Sequence, residues 1–196
     1  MTSRDNAPML WVGLGNPGSE HARQRHNIGF MALDVMADRY DAPAAQKKFQ
    51  GWAQEVRIGA AKILLLKPAT FMNESGRSIR AALDFYKLTP EDVTVFYDEL
   101  DLAPFKMKVK RGGGAAGHNG IRSTIDHIGA DFRRIRLGIG HPGHKDRVTP
   151  YVLGNFAKNE IDPLTDMLAA IAAEAEWLAK GDDVRFMNEV ALRLQD

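Results

Sequence analysis

The alternation of short apolar segments with segments of helical periodicity is the feature of this sequence that most constrains its fold. Strand-like apolar segments occur at residues 9–13, 53–58, 62–67, 93–97, 105–110 and 135–139. Between them, apolar side chains recur at helical spacing, as in the stripe of Ile79, Ala82, Leu83 and Tyr86. Strands that alternate with helices predict an α/β fold, a twisted sheet flanked by helices on both faces.

The segment 105–110 predicts that this sheet is mixed. Three apolar residues alternate there with three lysines, which are Lys106, Lys108 and Lys110. A period of two gives the strand one buried face and one basic face, which suits an antiparallel or edge strand.

The chain of 196 residues is long enough to bury one hydrophobic core, and no repeat or change of composition divides it. We therefore expect a single domain over residues 1–196. Two helices are predicted near the carboxyl terminus, the first opened by Asp162-Pro163 and closed by Gly181. These helices, at about residues 160–196, are expected to pack on the same domain.

Composition excludes several classes of protein and site. The chain has no cysteine, which rules out disulfides, thiolate metal sites and a cysteine nucleophile. Its longest aliphatic run, residues 63–66, is too short to span a bilayer, and the polar residues 1–8 lack the apolar segment of a signal peptide. The expectation is a cytoplasmic protein without membrane contact.

Charge is unevenly distributed along the chain. The formal net charge is only +1, yet residues 106–147 carry ten lysines and arginines against three aspartates. A clustered positive surface can attract a polyanion even when the whole molecule is nearly neutral. This segment is therefore a candidate for contact with nucleic acid.

A glycine motif, GLGNPG at residues 13–18, follows the first predicted strand. Its spacing matches a dinucleotide-binding loop, but such a loop runs directly into a helix, and here no apolar stripe begins before Ile28. The match therefore gives little support for a nicotinamide-binding oxidoreductase. Asn16 lies at a strand end, where side chains of α/β folds commonly face a cleft.

His26 and three carboxylates are the candidates for acid–base chemistry. Asp98, Glu99 and Asp101 follow a predicted strand, and a carboxylate on one imidazole nitrogen makes the other nitrogen a better base. Spacing alone does not select one of the three. Neither Gly-x-Ser-x-Gly nor His-Glu-x-x-His occurs, so a histidine-activated water is the economical hydrolytic mechanism.

Several asparagines lie beside glycines or in the same short motifs, among them Asn16, Asn73 and Asn119. An amide offers donors and an acceptor without charge, so it can hold a peptide group or stabilise an oxyanion. The motifs in chain order are 13–18 (GLGNPG), 25–30 (RHNIGF), 67–76 (KPATFMNESG), 98–102 (DELDL), 117–120 (GHNG) and 135–143 (IRLGIGHPG). Together they resemble the bacterial-type peptidyl-tRNA hydrolase family over about residues 9–156.

The resemblance implies hydrolysis of the ester that links a peptide to the 3′ end of tRNA. By position, it implies His26 as general base and Asp98 as its orienting partner. It also implies a tRNA 5′-phosphate site at Lys110 and Arg136, and substrate binding by Asn16, His21, Phe71, Met72, Asn73 and Asn119. Peptidyl-tRNA is the implied partner, with no cofactor, no metal and no obligate protein partner, and a monomer is expected.

Two positions depart from the usual family pattern. His21 and Gln24 stand where Tyr and Thr are usual, so a second histidine lies close to His26 in sequence. A catalytically silent RNA-binding relative is the alternative, using the lysine-rich strand and the arginines of residues 133–136. The retention of His26 and Asp98 favours the enzyme.

Overall fold

The structure, a computed structural model, describes residues 6–195 of the chain. Its strands are β1 (Met9–Gly13), β2 (Gln46–Lys48), β3 (Gly51–Ile58), β4 (Ala61–Pro68), β5 (Val93–Glu99), β6 (Met107–Arg111) and β7 (Arg133–Gly138). They form one sheet in the order β2-β3-β4-β1-β5-β7-β6. The four central strands are parallel and the outer pairs are antiparallel, which confirms the mixed sheet.

Helices cover both faces of the sheet. They are α1 (Ile28–Arg39), α2 (Ser75–Tyr86), α3 (Asn119–Ile128), α4 (Val148–Val152), α5 (Ile161–Ala173), α6 (Ala175–Ala179) and α7 (Asp183–Arg193). Successive residues of β1 point to opposite faces, so Trp11 packs with α1 and α5, whereas Leu10 and Val12 pack with α2 and α3. The expected α/β architecture is confirmed.

Helices cover the neighbouring strands β1 and β5 on both faces of the sheet, so these two strands are almost entirely buried. Every residue of β5 is buried, including Asp98 and Glu99 at its carboxyl end. Parallel strands covered on two faces carry continuous apolar runs, so polar residues at such a strand end stand out. Ligands of open α/β sheets bind at the carboxyl ends of the strands, where these carboxylates lie.

The carboxyl-terminal region differs from the single helix predicted before Gly181. α5 ends at Ala173 and α6 begins at Ala175, with Glu174 between them. The apolar periodicity continues across this break, which explains why the sequence pattern indicates one helix. Buried residues of α5, α6 and α7 belong to the same hydrophobic cluster as Trp11. Residues 1–5 and 196 of the expected domain lie outside the described residues.

Two details of the sheet were not predicted correctly. Strand β2 was not predicted, because its residues Gln46–Lys48 are all exposed and carry no apolar signal. The basic strand begins at Met107 instead of residue 105, since Phe105 has a left-handed backbone with φ 65°. Its expected place is confirmed: β6 is an antiparallel edge strand. Over residues 6–195, no helix has the length and apolar character needed to cross a membrane.

Candidate active site

A cleft of about 460 Å³ opens beside the carboxyl ends of β5 and β7. His26, Asp98, His118 and Asn119 lie along it. The loop after β7 and helix α4 line it as well, through His141, Lys145, Val148, Thr149 and Val152. The cleft therefore combines the acid–base candidates with an apolar wall.

His26 and Asp98 form a close pair in this cleft. His26 lies in a 3-10 turn, Arg25–Asn27, and its Nδ1 is 2.7 Å from Oδ2 of Asp98. Asp98 is only 4% exposed, and an ionised carboxylate can only accept hydrogen bonds. Nδ1 therefore carries the hydrogen, and Nε2 of the neutral ring is left as a base.

Two glycines allow His26 to come this close to β5. A Cβ atom on Gly29, in the first turn of α1, would lie 2.3 Å from the carbonyl oxygen of Phe96. A Cβ atom on Gly13 would lie 2.3 Å from the carbonyl oxygen of Gly29. The start of α1 thus packs directly on the backbones of β1 and β5, which brings the preceding turn to the carboxyl end of the sheet.

His118 is a third member of the cluster, and no role was predicted for it from the sequence. Its Nε2 is 2.8 Å from Oδ1 of Asp98, and its Nδ1 accepts hydrogen bonds from the backbone N–H groups of Gly120 and Ile121. Because Nδ1 is an acceptor, Nε2 must carry the hydrogen and donate it to Asp98. The signal in the sequence was the position of His118 immediately before α3, where a side-chain acceptor caps a helix.

The environment shifts the pKa values of both catalytic candidates. Burial alone would lower the pKa of His26, but the negative charge and hydrogen bond of Asp98 raise it above the ordinary value of 6.5. Burial would raise the pKa of Asp98, yet the two histidines that face it hold that pKa well below its usual range. Asp98 is therefore ionised across the physiological range, and His26 titrates above its ordinary pKa.

Of the three candidate carboxylates, Asp98 is the one that contacts the histidines. Glu99 instead accepts a hydrogen bond from Nε of Arg136 at 2.9 Å and another from the backbone N–H of Asp101. His21 has a different partner, since its Nδ1 lies 3.0 Å from Oε1 of Gln24. The two residues that depart from the family pattern thus contact each other, and the buried carboxylate of Asp98 is the partner of His26 and not of His21.

Asn16 and Met72 hold the surrounding turns together. Oδ1 of Asn16 accepts a hydrogen bond from the backbone N–H of Met72, and its backbone exchanges two hydrogen bonds with the buried side chain of Asn27. Met72 is buried, and a Cβ atom on Gly120 would meet its sulfur at 2.5 Å. These residues connect the GLGNPG turn, the His26 turn and the start of α3.

The other expected substrate-binding residues lie at the surface near the cleft. Phe71 is 65% exposed. Asn73 and Asn119 are exposed and line a second, polar depression on the outer side of α3, with Arg122 and Asp126. Asn119 borders both the cleft and this depression. The structure therefore brings Asn119 next to His26 and Asp98, and places Asn73 farther out.

The basic residues differ in exposure: Lys108 and Lys110 are exposed, whereas Arg136 is half-buried and pairs with Glu99. The strand register puts Lys108, Lys110 and Arg136 on one face at the sheet edge. Arg133 and Arg134 are buried, which corrects the expectation that residues 133–136 form one basic surface. Their guanidinium groups satisfy internal acceptors: Arg133 pairs with Asp183, and Arg134 binds carbonyl oxygens of the glycine loop at residues 113 and 114.

His26, Asp98 and His118 are also the one set of possible metal ligands found within residues 6–195, with ligand atoms within 4.8 Å of one another. To bind a cation there, Nδ1 of His26 and Nε2 of His118 would each have to offer a lone pair. In the structure both nitrogens donate a hydrogen to Asp98 instead. The backbone donors at Nδ1 of His118 fix the opposite tautomer. Hydrogen bonds therefore account for the whole cluster.

Comparison with known proteins decides the family. A family model described as peptidyl-tRNA hydrolase matches residues 10–195, which is nearly the whole chain. This chain belongs to the peptidyl-tRNA hydrolase family. The resemblance carried by the six motifs is thus confirmed.

Individual members of the peptidyl-tRNA hydrolase family are similar over their full length. The peptidyl-tRNA hydrolase of Sphingopyxis alaskensis is 75% identical over 186 residues, covering 95% of this chain and 98% of that protein. That of Erythrobacter litoralis is 73% identical with the same coverage of each chain. The crystal structure of the peptidyl-tRNA hydrolase from Acinetobacter baumannii superimposes with a TM-score of 0.88 at 39% identity, covering 97% of this chain and 96% of that one.

Proposed function

We propose that this chain hydrolyses the ester between a peptide and the 3′ ribose of tRNA with a water molecule activated by His26. The observation that carries this mechanism is the 2.7 Å contact of Nδ1 with Asp98, which leaves Nε2 unprotonated in the cleft. Family membership supports the substrate class and the ester hydrolysis. The geometry supports the assignment of the base.

The proposed reaction has two steps. Nε2 of His26 takes a proton from water while the water oxygen attacks the ester carbonyl carbon, giving a tetrahedral oxyanion. The bond from that carbon to the ribose oxygen then breaks, and the imidazolium returns the proton to this oxygen. The products are a peptide with a free carboxylic acid, which releases its proton to solvent at neutral pH, and a tRNA with a free 3′ hydroxyl, so no cofactor is consumed.

Asp98 supports both steps. Its charge stabilises the imidazolium that forms when His26 takes the proton, and its hydrogen bond keeps the ring in the productive tautomer. His118 holds the other carboxylate oxygen, which fixes the direction of Asp98. General-base assistance of this kind contributes roughly 10²- to 10⁴-fold to the rate.

Uncharged amides are the proposed ligands of the peptidyl end. Asn119 borders the cleft beside His26, and its amide can donate to the carbonyl oxygen on which negative charge develops. Asn73, Phe71 and the Nδ2 of Asn16 are proposed to hold the peptide farther along. Main-chain recognition suits a substrate of arbitrary sequence, because amide groups do not select side chains.

The experiment that tests this function compares N-acetyl-aminoacyl-tRNA with unblocked aminoacyl-tRNA, in the presence of a chelator. Rapid cleavage of the blocked substrate alone is expected, because a site that hydrogen-bonds a peptide carbonyl rejects a substrate that lacks it. Sedimentation at the assay concentration should give the mass of one chain, as expected for a monomer. Failure of the folded protein to cleave the blocked substrate would favour the silent RNA-binding relative.

Arg136→Ala should weaken tRNA binding much more than it slows the chemical step. Arg136 lies near the sheet edge with Lys108 and Lys110. Within residues 6–195, its guanidinium donates only through Nε, to Glu99. Loss of one phosphate contact should raise KM and lower the slope of log KM against log salt concentration by about one. Steady-state assays over a range of salt concentrations measure both.

Arg80→Ala is the matched control for this substitution. Arg80 is an exposed arginine on α2 that pairs with Asp84, so its removal changes net charge equally without touching the sheet edge. KM and its salt slope should stay at the wild-type values in this control. If Arg136→Ala lowers kcat and leaves KM and the salt slope unchanged, Arg136 does not bind the tRNA backbone.

A further inference from the structure

Arg25, the residue before His26, points away from the cleft and is enclosed by the segment that follows α4. Its Nη1 donates to the carbonyl oxygens of Asn155 at 3.0 Å and Tyr151 at 3.4 Å, and its Nη2 donates to Glu160 at 2.7 Å. The guanidinium also stacks on the ring of Tyr151, 4.3 Å from the ring centroid. One side chain thus binds four groups across residues 151–160.

The backbone joins the same two segments. The N–H of Arg25 donates to the carbonyl oxygen of Gly154 at 3.0 Å, and the N–H of Phe156 donates to the carbonyl oxygen of Arg23 at 3.2 Å. Gln24 and Asn155 form an antiparallel bridge between these bonds. The turn that carries His26 is therefore attached to the chain immediately after α4.

α4 is the wall of the cleft that faces the histidines, and it is anchored at its other side as well. Val148, Thr149 and Val152 of α4 line the cleft. The hydroxyl of Tyr151 donates to the carbonyl oxygen of Ile139, and the N–H of Ile139 donates to the carbonyl oxygen of Glu99. α4 is thus connected to the strand end beside Asp98 through Tyr151, and to the His26 turn through Arg25.

We propose that Arg25 is a positioning residue that sets the distance between the His26 imidazole and the α4 wall, and so aligns the activated water with the ester carbon. This inference rests on the proposed function. The contacts need a planar guanidinium, because Nη1 donates to two carbonyl oxygens and Nη2 to Glu160 while the flat face stacks on Tyr151. A lysine keeps the positive charge beside Glu160 but supplies neither the fork nor the stacking surface.

Arg25→Lys tests the inference through the division of its effect between kcat and KM. Misplacement of a catalytic group by about 1 Å costs about 10²-fold in rate, so we expect kcat to fall by about 10- to 100-fold. KM for N-acetyl-aminoacyl-tRNA should stay near the wild-type value, because Arg25 touches no substrate group. Unchanged kcat in a variant with a lowered Tm would overturn the inference and leave Arg25 a purely structural residue.

Arg133→Lys is the matched control. Arg133 is more deeply buried than Arg25 and likewise donates to a carboxylate, Asp183, and to a backbone carbonyl, that of Leu178. It ties the carboxyl-terminal helices to the sheet away from the cleft. This variant should lose stability and keep kcat. An equal fall of kcat in both variants would mean that general destabilisation, and not the placement of His26, causes the loss.

A second measurement determines kcat of Arg25→Ala in the presence of added guanidinium chloride. Sodium chloride at the same ionic strength is the control. Free guanidinium has the planar N–H donors that the contacts of Arg25 require, so it should restore part of the lost kcat. Sodium ion lacks these donors and should not. No difference between the two salts would count against the inference. Turnover by the wild-type enzyme tests the proposed function separately. Failure of the proposed function can therefore be told from failure of the role proposed for Arg25.

Discussion

His26→Ala is expected to lower kcat for N-acetyl-aminoacyl-tRNA by roughly 10²- to 10⁴-fold, the usual contribution of a general base. Nε2 of His26 is the base that the Asp98 contact leaves in the cleft, and alanine provides no proton acceptor. KM should change little, because the proposed tRNA contacts lie at the sheet edge around Lys110 and Arg136. Single-turnover hydrolysis at saturating enzyme measures the chemical step directly.

Two further histidine variants make this result specific. His144→Ala removes an exposed histidine that does not line the cleft, and it should retain the wild-type kcat. His21→Ala tests the histidine that is close to His26 in sequence but contacts Gln24 instead of Asp98. A loss in His21→Ala as large as that in His26→Ala would mean that the base has been assigned to the wrong residue.

Asp98→Asn is expected to reduce kcat by a comparable factor, at least about 10²-fold, although it removes only one charge. The tautomer of His118 is fixed by the two backbone donors at its Nδ1, so its Nε2–H requires the carbonyl oxygen of the new amide. The amide NH₂ group then faces Nδ1 of His26, which must become an acceptor. Nε2 of His26 consequently carries the hydrogen and cannot take a proton from water.

The matched control for this substitution is Asp101→Asn. Asp101 is an exposed carboxylate three residues after Asp98. Its backbone N–H donates to Glu99, and its side chain is not among the partners of His26 and His118. Its kcat should remain close to the wild-type value. Asp98→Asn with wild-type kcat would show that neither the tautomer nor the charge of Asp98 matters for the reaction.

The sequence predicted the layers of this fold well because burial produces periodic patterns. The pleat of β1 and the helical stripes of α2 and α3 are direct consequences of packing against the sheet. The exposed strand β2 has no such pattern and was missed. The break at Glu174 was missed because helical periodicity continues on both sides of it.

The site was predictable in part, for a different physical reason. His26 and Asp98 are 72 residues apart, and only the family resemblance paired them; the sequence left Glu99 and Asp101 as alternatives. The role of His118 depends on α3 beginning beside β5, which fixes one ring nitrogen on the helix and turns the other toward Asp98. Such a tertiary arrangement leaves no periodic signal. Burial of Arg133 and Arg134 likewise depends on distant acceptors.

The pH dependence of single-turnover hydrolysis, measured beside an NMR titration of the His26 imidazole, tests the central claim most directly. A general base must be neutral, and Asp98 raises the pKa of His26 above 6.5. The rate should therefore fall as the pH decreases through a pKa above 6.5 that equals the pKa observed for His26, and Asp98→Asn should lower that pKa. A rate that follows a different pKa, or that stays constant while His26 becomes protonated, would contradict the account.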